Sequence, residues 1–234
     1  MVSKTIVGVI LPRVRIPHSP QMIYTINDIN TIIILNGTIS DNDIASLRHI
    51  NCVMIAADGA ANTLIANNIV PHFIVGDMDS VNKDIITFHC QLSQFINIKN
   101  QEQYDFEKCL DFCIKNGFNN IMVYGMNGGL LDHTLNNWSI FIKYSDKLNL
   151  FSYVLGQIGV LIRNDIVIDA IEDSIISIIP SPTATLTSKG LEWNLNNTRL
   201  ELGSKEGARN KSISKKVEIQ LHSGKYMLFY TIKL

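Results

Sequence analysis

The sequence predicts an α/β fold: a mostly parallel α/β sheet domain followed by an antiparallel β-sandwich domain. In the first part of the chain, short apolar runs alternate with helical patterns of about 10 to 15 residues, as in βαβ units. After residue 150 the helical spacing ends, and short β-rich runs separated by Pro, Gly and Asn turns follow. We therefore expect an α/β domain over residues 1–150 and a β-sandwich over residues 151–234.

The individual elements follow from local spacing and turn residues. Apolar runs that end in turn residues predict strands of the first domain at 32–35, 53–57, 73–75, 95–98 and 121–124. Helical spacing, with Ser40 or Asp41 and Ser80 as candidate caps, predicts helices over 41–49, 60–67, 80–92, 104–115 and 130–144. Residues 1–30 fit no single pattern, so an extra strand and a dimer arm both stay open.

The second domain is expected to consist of separate short strands. Turn residues such as Pro180, Pro182 and Gly224 divide the predicted strands, which are 160–162, 166–168, 175–179, 183–187, 217–221 and 226–232. The basic stretch 205–216 is broken by Glu206 and small polar residues, and we interpret it as a solvated loop.

Composition excludes several classes of protein. With 20 basic and 21 acidic residues, the formal net charge is −1, which argues against a nucleic-acid partner. No apolar run approaches the roughly 18 residues of a membrane span, and residues 6–11 make a poor signal peptide. We therefore expect no membrane contact and a cytoplasmic location. The cysteines lie in apolar or helical surroundings and are expected to be buried free thiols: Cys52, Cys90, Cys109 and Cys113.

Acidic turns follow several of the predicted parallel strands. They contain Asp58, the pair Asp77 and Asp79, Asp105, and Asp132. The carboxyl ends of parallel strands meet at one edge, where ligands bind. Two like charges at about 4 Å repel by roughly 4 kcal/mol at an effective dielectric of about 20. A Mg²⁺ ion carried by a polyphosphate would relieve that repulsion, so the pattern predicts a magnesium-nucleotide enzyme.

The strongest acidic pair is Asp77 and Asp79. Two residues apart in an extended turn, their carboxylates can face one hard cation, while Gly76 permits close backbone approach and Ser80 adds a hydroxyl. A simple turn with a helix cap would explain Asp79 and Ser80 but would leave Asp77 without a role. Asp58 with Gly59 is open to a similar alternative, a tight strand-to-helix turn.

Three further features carry weaker signals. Lys108, three residues after Asp105, would reach a phosphate or form a surface ion pair with that aspartate. The turn that contains Gly128 and Gly129 offers N–H groups to a phosphate at a helix N-terminus, although it is not a Walker A loop. Trp193 is either a core residue or a stacking surface for an aromatic ligand.

Taken together, these motifs resemble the thiamine pyrophosphokinase family. The family pattern is Ala-Asp-Gly-Gly-Ala-Asn, Gly-Asp-x-Asp-Ser, Gln-Asp-x-Thr-Asp-x-x-Lys-Ala, Gly-Gly-Arg-x-Asp-His and a late Gly-Leu-Lys-Trp/Tyr-x-Leu. The matching segments keep the same order and similar spacing: 57–62, 76–80, 101–109, 128–133 and 190–195. The resemblance extends from about residue 32 to the end of the chain.

The resemblance implies a Mg²⁺-dependent transfer of a diphosphoryl group from ATP to the hydroxyl of thiamine, with release of AMP. It also implies a homodimer in which thiamine lies at the subunit interface. The residues that would hold magnesium-ATP and polarise the hydroxyl are Asp58, Asp77, Asp79 and Asp105, with Asp77, Asp79 and Asp105 as metal ligands. Further nucleotide-binding residues would be Gly59, Gly76, Ser80, Lys108, Gly128, Gly129 and Asp132. Thiamine would contact Gln101, Thr187, Ser188 and Trp193.

The sequence departs from the family pattern at several positions. Leu130 stands where the family usually has Arg, and Tyr104 replaces a small hydroxyl residue. Ala60 replaces Gly, Glu192 replaces Lys, and Arg209 replaces Ser. We expect altered nucleotide contacts, for which Lys108 or Arg209 would compensate.

Two other functions and one mechanistic choice stay open. An Asp-x-Asp glycosyltransferase would explain Asp77 and Asp79, but not Asp58, Asp105 or the Trp193 motif. A non-catalytic nucleotide or thiamine sensor would bind tightly without releasing AMP. The proton acceptor for the attacking hydroxyl is either Asp105 or Asp77.

Overall fold

The computed structural model describes residues 14–15, 29–82, 84 and 92–231. These residues divide into two compact units, one over residues 29–155 and one over residues 156–231 together with β1 (Val14–Arg15). The rest of the stretch 1–30, most of the predicted helix 80–92, Cys90 and Ile232 lie outside the described residues. None of the described helices is long and apolar enough to cross a membrane.

The first unit is built on a parallel sheet. Its strands are β2 (Thr31–Ile34), β3 (Val53–Ala57), β4 (Phe73–Gly76), β5 (Gln94–Asn97), β6 (Asn120–Tyr124) and β7 (Asn149–Val154). Their spatial order is β7–β6–β2–β3–β4–β5. The five predicted strands of this sheet are confirmed. β7 was not predicted, because its first residue, Asn149, and its Ser152 interrupt the apolar pattern.

Four helices of this unit are described, and all four were predicted from the sequence. They are α1 (Asp41–Leu47), α2 (Ala60–Ala66), α3 (Asp105–Asn116) and α4 (Leu131–Tyr144). Ser40 begins α1 through a capping box, in which its hydroxyl accepts a hydrogen bond from the backbone N–H of Asp43 at 3.2 Å. Gly117 ends α3 with a left-handed backbone, φ 74°.

The core of the first unit lies between the sheet and these helices. Ile33, Ile55 and Ile74 are fully buried on the strands, and Leu110 is fully buried on α3. Burying such side chains stabilises the fold by about 1.5–3 kcal/mol each. The predicted buried thiols are confirmed at two positions of α3, Cys109 and Cys113, whose pKa values burial raises. Cys52 is half-buried.

The second unit consists of antiparallel strands. They are β8 (Gln157–Ile162), β9 (Ile166–Asp169), β10 (Ile175–Lys189), β11 (Thr198–Glu201), β12 (Gly207–Lys211) and β13 (Lys216–Thr231). The first half of β10 pairs with β12 and with the second half of β13, which also pairs with β8. The second half of β10 pairs with β11 and with the first half of β13, which also pairs with β9. Two sheets therefore share β10 and β13, the arrangement of a β-sandwich whose strands cross from one sheet to the other.

The prediction of separate short strands in this unit is wrong at two places. Residues 175–179 and 183–187 belong to one strand, β10, and residues 217–221 and 226–231 belong to β13. The pairing register shifts between Pro180 and Ala184, opposite Gly224, which has φ 81°. The proline and glycine residues therefore mark the bend at which each strand changes sheets, and the chain does not reverse there.

The basic stretch 205–216 is also not simply a solvated loop. Its residues 207–211 form β12, and Arg209 is exposed on that strand with a left-handed backbone, φ 55°. Its alternation of small, polar and charged side chains gives no apolar face from which a strand could be predicted.

Candidate functional site

The strand order of the first unit creates a ligand-binding edge. From β2 the chain moves outward through β3, β4 and β5, and then returns to the other side of β2 as β6. Ligands of open parallel sheets bind outside the carboxyl ends of the strands, at such a reversal of strand order. The loops at this edge carry the sequence-predicted residues Asp58, Asp77, Asp79 and Gln101.

Asp58, directly after β3, is a fully buried carboxylate. Its backbone N–H donates to the carbonyl of Val75 at 2.9 Å, and its Oδ2 accepts from the backbone N–H of Ser80 at 3.4 Å. Its Oδ1 is buried and has no hydrogen-bond partner among the described residues. Burial, aided by the nearby aspartates, raises the pKa of Asp58 to about 6, despite the opposing effect of the Ser80 N–H.

Two neighbours give Asp58 its position. A Cβ atom at Gly76 would lie 2.6 Å from the Cβ of Asp58, so the close approach of β4 to this carboxylate requires glycine. Asn62 holds the turn at residues 80–82 with both ends of its side-chain amide. Its Nδ2 donates to the carbonyl of Ser80 at 2.8 Å, and its Oδ1 accepts from the N–H of Asn82 at 2.8 Å. This clamp directs the Ser80 N–H at Asp58.

Asp77 lies in the turn after β4. The backbone at Met78 is left-handed, φ 68°, and this reversal brings Asp77 and Asp79 to the same point. The Oδ2 atom of Asp77 accepts from Nε2 of Gln101 at 2.9 Å and from Nζ of Lys108 at 3.4 Å. Burial alone would raise the pKa of Asp77, but these two donors outweigh burial and lower it.

Lys108 is a buried cation between two carboxylates. Its side chain is 2% exposed, and Nζ lies 2.9 Å from Oδ1 of Asp105 as well as 3.4 Å from Oδ2 of Asp77. Burial would lower its pKa, yet the two carboxylates raise it. The predicted ion pair with Asp105 is present, but its Lys108 side chain is buried and also contacts Asp77, so it is not a pair of two exposed side chains.

Three carboxylates at this edge are arranged so that they could share a metal ion. One oxygen from each of Asp58, Asp77 and Asp79 lies within 4.8 Å of the others. Asp105, which the sequence placed among the metal ligands, is not in this group; one of its oxygens is bound to Lys108. Hard oxygen donors of this kind suit Mg²⁺. The buried Oδ1 of Asp58, which has no hydrogen-bond partner among the described residues, is available to bind a cation. The residues present therefore fit a magnesium ion.

The glycine-rich loop lies on the other side of the strand-order reversal. Gly128 has φ 117°, and a Cβ there would overlap Oγ1 of Thr38 in the loop after β2. At the start of α4, Leu130 makes no side-chain cap, so the first N–H groups of this helix are not capped by their own N-cap residue. Gly129 is exposed beside it, and the exposed Asp132 accepts from the N–H of His133 at 2.9 Å.

In the second unit, the predicted thiamine-contacting residues belong to one strand end and the loop after it. Trp193 is 61% exposed, and Asn210 holds its backbone by accepting from its N–H at 3.2 Å and donating to its carbonyl at 2.8 Å. Ser188 is buried, and its hydroxyl accepts from the N–H of Leu195 at 2.9 Å. Ser188 thus closes the loop that displays Trp193, and the Trp193 side chain is not a core residue.

Sequence reasoning missed a histidine beside this loop. Thr187 Oγ1 lies 2.8 Å from Nε2 of His222 and accepts from the N–H of Asn197 at 2.9 Å. His222 is the extra residue of a bulge, because Thr185 pairs with Ser223 and the next residue of β10 pairs with Leu221. A bulge that turns a histidine toward Thr187 has no local sequence pattern. The clamps at Asn62 and Asn210 were likewise missed.

The fold and the site together define a class: an α/β protein with a carboxylate cluster at the ligand-binding edge of its parallel sheet, and a β-sandwich unit that exposes an aromatic side chain. Comparison with known proteins narrows that class. The family model for the thiamin pyrophosphokinase catalytic domain matches residues 45–152. The model for the thiamin pyrophosphokinase vitamin B1 binding domain matches residues 163–226. The chain belongs to the thiamin pyrophosphokinase family.

Individual relatives agree with this assignment. Thiamine pyrophosphokinase 1 of Arabidopsis thaliana is 26% identical in an alignment of 209 residues that covers 77% of this chain and 77% of the relative. Thiamin pyrophosphokinase 1 of Caenorhabditis elegans is 27% identical in an alignment of 197 residues that covers 77% of this chain and 78% of the relative.

Solved structures share the fold. Thiamin pyrophosphokinase from Candida albicans aligns with a TM-score of 0.75 and 20% identity, over 89% of this chain and 90% of that chain. Thiamine pyrophosphokinase from Bacillus subtilis aligns with a TM-score of 0.72 and 22% identity, over 87% of this chain and 99% of that chain. The predicted fold class and the family resemblance are thereby confirmed.

Proposed function

We propose that this protein is a thiamine diphosphokinase that transfers the diphosphoryl group of ATP to the hydroxyl of thiamine and releases AMP. The observation that carries the proposal is the carboxylate cluster of Asp58, Asp77 and Asp79 in a chain of this family; the buried Oδ1 of Asp58 has no hydrogen-bond partner within the described part of the chain. A cluster of this kind serves a reaction in which highly charged phosphates must be held and neutralised.

The residues that would hold Mg²⁺ are Asp58, Asp77 and Asp79. Bound there, the ion would supply charge neutralisation for the phosphates of ATP. Lys108 keeps Asp77 ionised and fixed, because its buried ammonium lies 3.4 Å from Oδ2 of that residue. The N–H groups of Leu131 and Asp132 at the start of α4, with Gly128 and Gly129 before them, are suited to bind phosphate oxygens, whereas the N–H of His133 is already bound to Asp132.

In the proposed reaction, the thiamine hydroxyl oxygen forms a bond to the β-phosphorus of ATP. The bond from that phosphorus to the oxygen shared with the α-phosphate breaks, and AMP leaves with this oxygen. The hydroxyl proton passes to a carboxylate. Asp77 accepts from both Gln101 and Lys108 and belongs to the proposed metal cluster, whereas Asp105 accepts from Lys108 alone and its side chain is 39% exposed. We therefore assign the proton to Asp105.

For thiamine, we assign Trp193 as the surface on which the cationic, aromatic substrate stacks, because 61% of this side chain is exposed. Thr187 is a candidate polar contact, and Ser188 holds the loop. Gln101 is a candidate contact that also donates to Asp77. We include a homodimer with the thiamine site at the subunit interface, and a cytoplasmic location, in the same proposal; analytical ultracentrifugation tests the dimer.

The test is to mix the purified protein with Mg-ATP, with and without thiamine, and to identify the products by mass. Thiamine-dependent AMP and a product roughly 160 mass units heavier than thiamine are expected. ADP would instead indicate transfer of a single phosphoryl group. Failure to form any nucleotide product would contradict the proposal and favour a binding sensor.

A variant tests the site itself. Asp77→Asn keeps the size of the side chain but removes a metal-binding charge, so turnover should fall by at least about 100-fold while the fold is retained. Asp41→Asn, an exposed carboxylate in the first turn of α1, is the matched control and should keep full activity. Near-normal turnover of Asp77→Asn would contradict the assignment.

A further inference from the structure

The loop between β5 and α3, residues 98–104, presents Gln101 to the acidic edge. Gln101 is exposed, and its Nε2 donates to Oδ2 of Asp77 at 2.9 Å. Beyond its start, where the N–H of Ile98 donates to the carbonyl of Gly76 at 2.7 Å, the loop has few apolar anchors. An exposed loop of this kind loses conformational entropy when it is ordered, so something must hold it in place.

A chain of side-chain hydrogen bonds runs from this loop into the interior. Asn100 accepts from the N–H of Glu102 at 3.0 Å and donates from Nδ2 to Oε1 of Gln103 at 3.2 Å. Gln103 in turn donates from Nε2 to Oδ2 of Asp111, on α3, at 2.8 Å. The other oxygen of Asp111, Oδ1, accepts from the hydroxyl of Tyr144 at 3.0 Å.

The inner end of this series of hydrogen bonds, at Tyr144, is buried. Tyr144 is 5% exposed at the end of α4, and burial together with its bond to Asp111 raises its pKa, so the hydroxyl stays a donor. Each carboxylate oxygen of Asp111 accepts one hydrogen bond: Oδ1 from Tyr144 on α4, and Oδ2 from Gln103 in the loop. The Asp111 carboxylate therefore joins α4, α3 and the Gln101 loop through two hydrogen bonds of good length.

We propose that Asp111 is a positioning residue for the reaction: through Gln103 it orders residues 98–104, so that Gln101 fixes the Asp77 carboxylate in the orientation that binds the metal. The inference rests on the proposed function. Partners that orient a metal-binding carboxylate in this way commonly change metal affinity or activity by 10- to 100-fold when removed. No part of the Asp111 side chain needs to touch a substrate for this effect.

The experiment measures Mn²⁺ binding to the nucleotide-free protein by electron paramagnetic resonance, and separately the Mg²⁺ dependence of AMP formation. Wild-type AMP formation is measured first, because its absence would refute the proposed function and not the role of Asp111. The variants are Asp111→Ala, Gln101→Ala and the double variant. Lys143→Met is the matched control, since it breaks another α3–α4 contact, the 2.8 Å ion pair with Glu107.

Asp111→Ala should weaken Mn²⁺ binding about 10-fold and raise the half-saturating Mg²⁺ concentration by a similar factor. The double variant should be no worse than Gln101→Ala, because both changes act on the same contact. Asp111→Asn can still accept from Gln103 and should restore binding to within about threefold. Lys143→Met should behave as wild type.

Two results would overturn the proposal. One is Mn²⁺ binding by Asp111→Ala within twofold of wild type in a variant that circular dichroism shows to be folded. The other is a double variant whose loss equals the product of the two single losses, since that would place Asp111 and Gln101 in independent roles.

Discussion

Replacing Asp58 by Asn should make the metal-free protein more stable at neutral pH, although it removes a site residue. Asp58 is fully buried, and its Oδ1 has no partner among the described residues, so the ionised form is held at a cost. Asn is neutral at every pH and nearly the same size. The substitution therefore removes the charge without opening a cavity.

The size of the effect follows from the pKa. The carboxyl pKa is raised from an ordinary value of 3.8 to about 6, and two pKa units correspond to about 3 kcal/mol. We take about 2 kcal/mol, because water reaches the neighbouring, exposed Asp79 and screens the edge. Between about pH 4 and pH 6 the folded protein binds a proton that the unfolded chain has lost, so stability falls as pH rises through this window.

The assay is urea unfolding in EDTA at pH 4.5 and pH 8. The two proteins should be close in stability at pH 4.5, whereas at pH 8 Asp58→Asn should be more stable by about 2 kcal/mol. Asp41→Asn, which removes an exposed carboxylate, should follow the wild-type pH dependence. Parallel pH profiles for wild type and Asp58→Asn would refute the reasoning, because the buried charge would then carry no cost.

Three further substitutions test other parts of the site. Lys108→Met leaves Asp77 without its buried counterion and should cost about 3 kcal/mol of unfolding free energy at pH 7.5, measured in urea; a loss below about 1 kcal/mol would contradict the assigned role. Gly76→Ala places a Cβ 2.6 Å from the Cβ of Asp58 and should lower the free energy of unfolding by about 2 kcal/mol, which a lower Tm would report. An unchanged Tm would show that β4 can move away from Asp58. Trp193→Ala should raise the thiamine KM about 10-fold and change the ATP KM less than twofold, and an unchanged thiamine KM would exclude stacking on this side chain.

The parallel sheet could be predicted from the sequence because its central strands are buried on both faces. Segments such as 32–35 and 53–57 are then continuous apolar runs that end in turn residues. The meeting of Asp58, Asp77 and Asp79 could be predicted for a related reason, since the carboxyl ends of parallel strands share one edge. These predictions use only local spacing and the geometry of a sheet.

What could not be predicted depends on contacts between distant residues. The family resemblance singles out Gln101 as a thiamine contact, but no local pattern predicts its hydrogen bond to Asp77, 24 residues away. The bends of β10 and β13 look like turns in the sequence, because Pro180 and Gly224 favour both. The same holds for His222, whose orientation comes from a bulge in the strand pairing.

The buried ammonium of Lys108 has a consequence for how the protein responds to its surroundings. Because this internal counterion is covalently part of the chain, the charges of Asp77 and Asp105 at the acidic edge are partly balanced before any ion arrives. Small domains whose folding depends on a metal unfold when the ion is removed. With an internal counterion in place, we expect folding of this protein not to require the proposed magnesium ion. Removing the ion would then stop the proposed reaction and leave the protein folded and ready to act again.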